Sequence, residues 1–215
     1  MTDSLNSHPT PTSPSGDRVS PTDLRLDSQA VRVLAHPLRS RLLTHLRTHG
    51  PATATELATT LHTNSGATSY HLRALASVGL IEDTEQGEGR RRLWRAATRS
   101  HSWGNTDFQG DEDARAAIGW LRRDYVRQFA ARTEEWLDME DSWPAAWADA
   151  CGMSDVLLTL TAAQLKQLNR DIGTLLSRYV TEPDQLCGSD EDNEGAIRIH
   201  FLYQSMPVDR VPPQS

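Results

Sequence analysis

Residues 51–97 constrain the fold most, because they carry two short amphipathic helices, a tight turn between them, and then a hairpin with a basic tip. Thr53-Ala54-Thr55-Glu56 has the form of a capping box: the Thr53 hydroxyl can accept from the Glu56 amide while the Glu56 carboxylate reaches back to the cap. Leu57 and Leu61 give the short helix behind it an apolar side. His62-Thr63-Asn64 reads as a turn, and Asn64 or Ser65 can cap a second helix running through Ser69-Tyr70-His71-Leu72-Arg73-Ala74-Leu75. Thr68, Leu72 and Leu75 repeat at four and three, so they share the inward face. Gly79 ends this helix. Leu80-Ile81-Glu82 reads as a strand, Gln86 to Gly89 as a turn, and Arg90 to Arg95 as the return strand.

Two helices, a tight turn and such a hairpin form a winged helix-turn-helix, whose second helix enters the DNA major groove. On that reading Ser65, Ser69, Tyr70 and Arg73 face base edges or flanking phosphates. Thr63, Asn64 and the wing arginines Arg90, Arg91 and Arg92 hold the DNA backbone.

The residues also carry a resemblance. Ala35-His36-Pro37-Leu38-Arg39, Arg41-Leu42-Leu43, Ser69 to Leu75, Val78 to Glu82 and Gly89 to Arg92, in that order and spacing, resemble the ArsR-type winged-helix regulators of bacteria. The resemblance covers residues 27–97. It implies a homodimeric transcriptional regulator, a repressor more often than an activator, bound to a palindromic operator in double-stranded DNA. It also implies a structural role for His36, as a cap or a packed ring.

Charge is distributed to match. The chain of 215 residues has a net charge of −7. Leu24 to Arg99 nevertheless hold eleven arginines against six carboxylates, and Ser100 to Ser215 hold ten basic residues against twenty acids. Such asymmetry separates a part suited to nucleic acid from an acidic part that faces elsewhere. There is no run of about twenty apolar residues and no apolar signal region at the start. Cys151 and Cys187 do not make a disulfide framework. The expected location is the cytoplasm, on the nucleoid.

The whole chain reads as mainly α with a small β component. Residues 1–23, rich in Ser, Thr and Pro, are expected to be a disordered tail; 24–99 the winged helix-turn-helix domain; 100–209 a dimerisation and effector region; 210–215 a tail. Leu26, Ala30, Val31 and Leu34 predict a first helix, and Pro37 opens a second that carries Leu38, Leu42, Leu43 and Leu46 to Gly50. Ser100 to Gly110 reads as a linker. Asp111 to Leu137 predicts a long helix with the stripe Ile118, Leu121, Tyr125, Phe129 and Trp136, the expected dimer seam. Farther on, Val156, Leu158 and Leu160 alternate as in a strand. Thr161 to Gln164 is a second capping box, opening a helix with Leu165, Leu168, Ile172, Leu175 and Tyr179. An acidic loop spans Glu182 to Glu194, and Ile197, Ile199, Phe201 and Tyr203 give a final strand.

No metal, cofactor or catalytic site is read from the residues. The resemblance puts metal ligands on a Cys-x-Cys pair before the recognition helix or on the long helix. Thr55 to Thr60 has no cysteine and Asp111 to Leu137 no histidine. Gly-rich phosphate loops, Gly-x-Ser-x-Gly elbows and His-Glu-x-x-His are missing from the sequence, so an enzyme is not expected. Trp120, Trp136, Trp143 and Trp147 crowd around the long helix and could line a pocket for a small organic effector, or simply fill the core. The rival functions are a winged helix that binds a protein partner through its acidic half, and a small-molecule-responsive regulator acting through that half.

Overall fold

The computed structural model describes residues 23–87, 91–104, 106–179 and 196–209. The fold is α+β: a helix-turn-helix region with short strands, followed by a helical region. Asp23–Arg25 (β1) leads into α1 (Ser28–Leu34) and α2 (Pro37–His49). Asp27 caps α1 by accepting from the Ala30 amide. His36 caps α2: its ring Nδ1 accepts from the Leu38 amide at 3.2 Å, so the expected cap is the one found. Then come β2 (Ala52–Thr53), α3 (Ala54–Thr60), α4 (Ser65–Ala76), β3 (Ile81–Asp83), β4 (Leu93–Ala96) and β5 (Ser100–Ser102). The long helix α5 (Glu112–Met139) is followed by a single 3₁₀ turn, α6 (Ala145–Ala150) and α7 (Ala162–Ser177). Both predicted capping boxes form, at Thr53 with Glu56 and at Thr161 with Gln164.

The strands β2, β4 and β3 make an antiparallel sheet in that order, with Ile81 opposite Ala96 and Ala52 opposite Trp94. β1 and β5 pair in parallel, Leu24 opposite His101. The expected linker from Ser100 to Gly110 is therefore corrected. It supplies β5 and the buried ring of Phe108. Parallel pairing of segments 77 positions apart leaves no local signature, because each strand sees only a distant partner.

The core joins Val31, Leu34, Leu42, Leu57, Leu72 and Leu75 to Phe108, Ala114, Ile118 and Leu121. It does not stop at residue 99. Consequently the expected dimer seam is corrected in its first half. Ile118 and Leu121 are buried against α1 and its neighbours in their own chain, and Tyr125 packs beside them. They have no surface to offer a second copy. Phe129 and Trp136 remain half-buried. Ion pairs hold α5's start: Arg25 grips Asp107 with both carboxylate oxygens, at 2.7 and 2.8 Å, and Arg32 reaches Asp111, the α5 cap, at 3.0 Å.

A second seam ties α5 to α2 by polar groups. The buried Ser40 hydroxyl donates to Asp124 at 2.8 Å, and Gln128 donates to both Ser40 and Asp124 while accepting from Thr44. Below it, Arg47 on α2 meets His101 Nδ1 at 2.5 Å, and His101 Nε2 meets the Tyr125 hydroxyl at 2.6 Å. Because an arginine only donates, His101 Nδ1 must be the acceptor and Nε2 carries the proton to Tyr125. Burial first, and the Arg47 charge second, hold the His101 imidazole down to about 3. Burial likewise raises the Tyr125 hydroxyl.

The two strands expected in the C-terminal region do not form among the described residues. Residues 152–160 and 196–207 take no regular secondary structure and belong to no sheet. Alternation shows which face of a segment is apolar; it cannot supply the second backbone that a ladder needs. Residues 1–22, Arg90, the acidic loop from Glu182 to Glu194, Cys187 and the 210–215 tail lie outside the described residues. No described helix is long and apolar enough to cross a membrane.

Candidate nucleic-acid interface

The turn between α3 and α4 is built on three backbone hydrogen bonds. Leu61 N–H donates to Leu57, His62 N–H to Thr59, and Thr63 N–H to Ala58. His62 takes a left-handed φ of 52°, which closes the α3 end sharply. Asn64 then caps α4: its side-chain oxygen accepts from the Ala67 amide at 2.7 Å. The cap that the sequence offered at Asn64 is therefore the one found. The side chain starts the helix, and only its amide group is left for a phosphate.

The inward face of α4 is as the spacing predicts, with Thr68, Leu72 and Leu75 fully buried. Thr68 is polar, and its hydroxyl is satisfied by the Asn64 carbonyl at 2.9 Å. The opposite face is exposed. Ser65 and Arg73 are open to solvent, Tyr70 is 60% exposed, Ser69 is half-buried, and Thr63 is half-buried at the turn. The Arg73 guanidinium has no hydrogen-bond or ion-pair partner among the described residues. A lone guanidinium on an exposed helix face is a group waiting for an anion or a guanine edge.

The structure adds residues to this face that spacing alone did not place there. Arg39, on α2, donates from Nε to His71 Nδ1 at 3.2 Å and from its fork to the Val33 carbonyl at 2.9 Å. Its guanidinium carbon lies 6.0 Å from the centre of the Tyr70 ring, within cation–π reach. The His36 and His71 rings lie 4.4 Å apart. Burial, then the neighbouring positive groups, hold both imidazoles below the usual histidine range. Arg39 thus orients Tyr70 from behind while the two histidines stay neutral. The only hint in the sequence was Arg39 standing one turn into a helix, which has no fixed meaning without the tertiary contact.

On the wing, β3 and β4 bring the arginines beside carboxylates. Arg92 reaches Asp83 at 3.3 Å and lies over the Trp94 ring, and Arg95 pairs with Glu82 at 2.7 Å. Arg91 is exposed, close enough to Glu56 to favour that carboxylate's charged form, although the backbone and hydroxyl of Thr53 contribute more. Exposed pairs of this kind contribute little to stability. They do lower the free positive charge of the wing, so Arg91 carries more of it than Arg92.

Trp120, Trp136, Trp143 and Trp147 are all half-buried. Trp136 and Trp143 meet edge to face at 5.5 Å, and the cavity beside Trp143 is bordered by Glu140, Asp141 and Asp149. Cys151 is a free thiol.

Residues 34–84 match the family model described as a helix-turn-helix domain. The segment is similar to a helix-turn-helix domain. The match runs from the end of α1 through α4 to the first strand of the wing, and it covers less than half of the chain. None of the curated proteins matches the chain.

Proposed function

We propose that the chain is a sequence-specific, DNA-binding transcriptional regulator: a dimeric repressor of the ArsR type that lacks the cysteine metal site. The exposed polar face of α4, on which Arg73 has no partner among the described residues, is the observation that carries this reading. Ser65, Ser69, Tyr70 and Arg73 read the major groove, and Thr63, Asn64 and the wing hold phosphates. The operator is palindromic, with half-sites about 34 Å apart, one helical turn. No cysteine stands on α3, so a thiolate sensor of the ArsR kind has no ligands there.

Arg73→Ala should cost roughly 10- to 100-fold in affinity for the operator, the equivalent of about 1–3 kcal/mol for a lost bidentate base contact, and much less on random DNA. Fluorescence anisotropy on both DNAs at one salt concentration measures it. Equal losses on the two would put Arg73 on the backbone. The wing should behave in the opposite way. Arg91→Ala with Arg92→Ala should weaken all sequences together and reduce the slope of log affinity against log salt by about 2, close to one counterion per lost phosphate contact. An unchanged slope would take the wing off the DNA.

A further inference from the structure

His71 lies on α4 beside Tyr70, half-buried where α4 packs on α2. Arg39 donates from Nε to its Nδ1 at 3.2 Å. A guanidinium only donates, so His71 Nδ1 offers a lone pair and Nε2 carries the proton. This bond therefore exists only with a neutral imidazole. His36 is fixed in the same tautomer, because its Nδ1 accepts from the Leu38 amide at 3.2 Å. The two imidazoles lie 4.4 Å apart, and the Tyr70 ring stands edge-on to His71 at 5.2 Å. Arg39 is anchored at two points, His71 and the Val33 carbonyl, and from there its guanidinium reaches the Tyr70 ring.

The surroundings give a proton at this place no counter-ion. α4 packs against α1, α2, α3 and β3. The helices α1, α2 and α4 contain no Asp or Glu. Their charged groups are Arg32, Arg39, Arg41, Arg47 and Arg73, with His45 and His49 at the far end of α2. The acids of the other two elements are engaged: Glu56 on α3 by Thr53, Glu82 and Asp83 on β3 by Arg95 and Arg92. Where α5 packs on α1 and α2, Asp111 is held by Arg32, and Asp124 by Ser40 and Gln128. Burial first, then His36 and Arg39, holds the His71 imidazole below its ordinary range; burial and then Arg39 do the same to His36. A proton on His71 Nδ1 turns the acceptor into a second donor facing Arg39. The bond breaks, and two positive charges are set against each other. On the regulator reading, the negative charge that this face meets is the phosphate backbone of DNA.

We propose that neutral His71 is a positioning residue for operator choice: through Arg39 it sets Tyr70 on the reading face, and a proton taken up at the His36–His71 pair weakens that choice while strengthening plain attraction to phosphate. The inference rests on the regulator reading above and adds the proton as a regulator of the same face. Two effects of opposite sign follow as pH falls below 6.5, the ordinary histidine value. Positive charge gained beside α4 tightens binding to any duplex, by at most about tenfold per pH unit for one proton taken up. Loss of the Arg39 anchor releases the Tyr70 ring, so the preference for one sequence over another declines. By reciprocity, bound DNA eases protonation of the pair.

The test compares a duplex that the full chain selects from a random pool with a duplex of scrambled sequence. Anisotropy at pH 8 and pH 5.5, at one salt concentration, gives the two affinities. Their ratio should fall about fivefold or more in the wild type on acidification, while binding to the scrambled duplex tightens. His71→Gln keeps an acceptor for Arg39 and cannot titrate, so its ratio should stay within about twofold of the wild-type value at pH 8 throughout. His71→Ala has no acceptor and should show the low ratio at both pH values. A ratio that falls equally in wild type and His71→Gln would overturn the inference, as would a wild-type ratio that ignores pH. Should the variants fail to fold, an NMR titration of the wild-type chain without DNA decides. The Tyr70 ring resonances should shift with the midpoint of the His71 imidazole, below 6.5. Tyr70 resonances that stay still while His71 titrates would equally overturn it. A chain that selects no duplex removes the regulator reading, whereas the titration still decides whether His71 positions Tyr70.

Discussion

A chain cut after Arg99 should not fold. The cut falls where the composition changes and the wing ends, and it would remove Phe108, Ala114, Ile118 and Leu121 from the core, together with the strand that pairs with β1. Burying a large apolar side chain contributes about 1.5–3 kcal/mol. Losing Phe108, Ile118 and Leu121 therefore withdraws stabilisation comparable with the 5–15 kcal/mol that a whole domain possesses. The polar ties from Ser40 to Asp124 and Gln128 go as well, leaving a buried hydroxyl unpaired. Residues 24–99 should give no cooperative thermal transition by circular dichroism, whereas 24–139 should give one. A graded version uses Leu121→Ala in the full chain, for which the expected loss is about 2–5 kcal/mol, measured by urea unfolding. A cooperative melt of 24–99 near the full-length temperature would show that α5 merely leans on a finished domain.

The same boundary shows what the sequence could and could not tell. Thr53, Asn64, His36 and Thr161 act within four residues of themselves, so their caps could be read directly, and all four form. The inward triplet of α4 was equally legible, since helical spacing alone puts Thr68, Leu72 and Leu75 on one side. The stripe along α5 was legible as a stripe, but its occupant was not. Periodicity says that Ile118 and Leu121 want cover; only the fold says that their own chain supplies it. The polar strand Ser100-His101-Ser102 has no apolar alternation to betray it, and its partner is far away in the sequence. The segments flanking α7 fail in the other direction. Their pattern was right and the strand assignment wrong for a single chain, because a β-ladder is a property of two backbones. At the candidate DNA face, Tyr70 and Arg73 could be placed from helix geometry, whereas Arg39 reaches them only through the crossing of α2 and α4.

Acid should destabilise the protein well before its carboxylates protonate, and His101 should be the largest single cause. Its imidazole, wedged between Arg47 and Tyr125, is held at about 3 in the folded chain, against 6.5 for an unperturbed histidine. The unfolded chain therefore takes up a proton here below pH 6.5, and the folded chain refuses it until about 3. Protonation favours the state that binds the proton, so this contribution is fully present above pH 6.5 and is lost as pH falls toward 3. Each pH unit in that window removes up to about 1.4 kcal/mol, hence roughly 2 kcal/mol by pH 5. His36, His45, His71 and His200, all held below the usual range by burial, act in the same direction. His101→Gln isolates the main site. A glutamine can accept from Arg47 through its oxygen and donate to Tyr125 through its amide, yet it cannot titrate. At pH 7.5 the variant should be somewhat less stable than wild type; at pH 5 the difference should shrink or reverse by about 2 kcal/mol, as read from urea unfolding at the two pH values. Parallel profiles would mean that His101 accepts a proton in the folded chain, and that the clamp joining α2, β5 and α5 opens to water without cost.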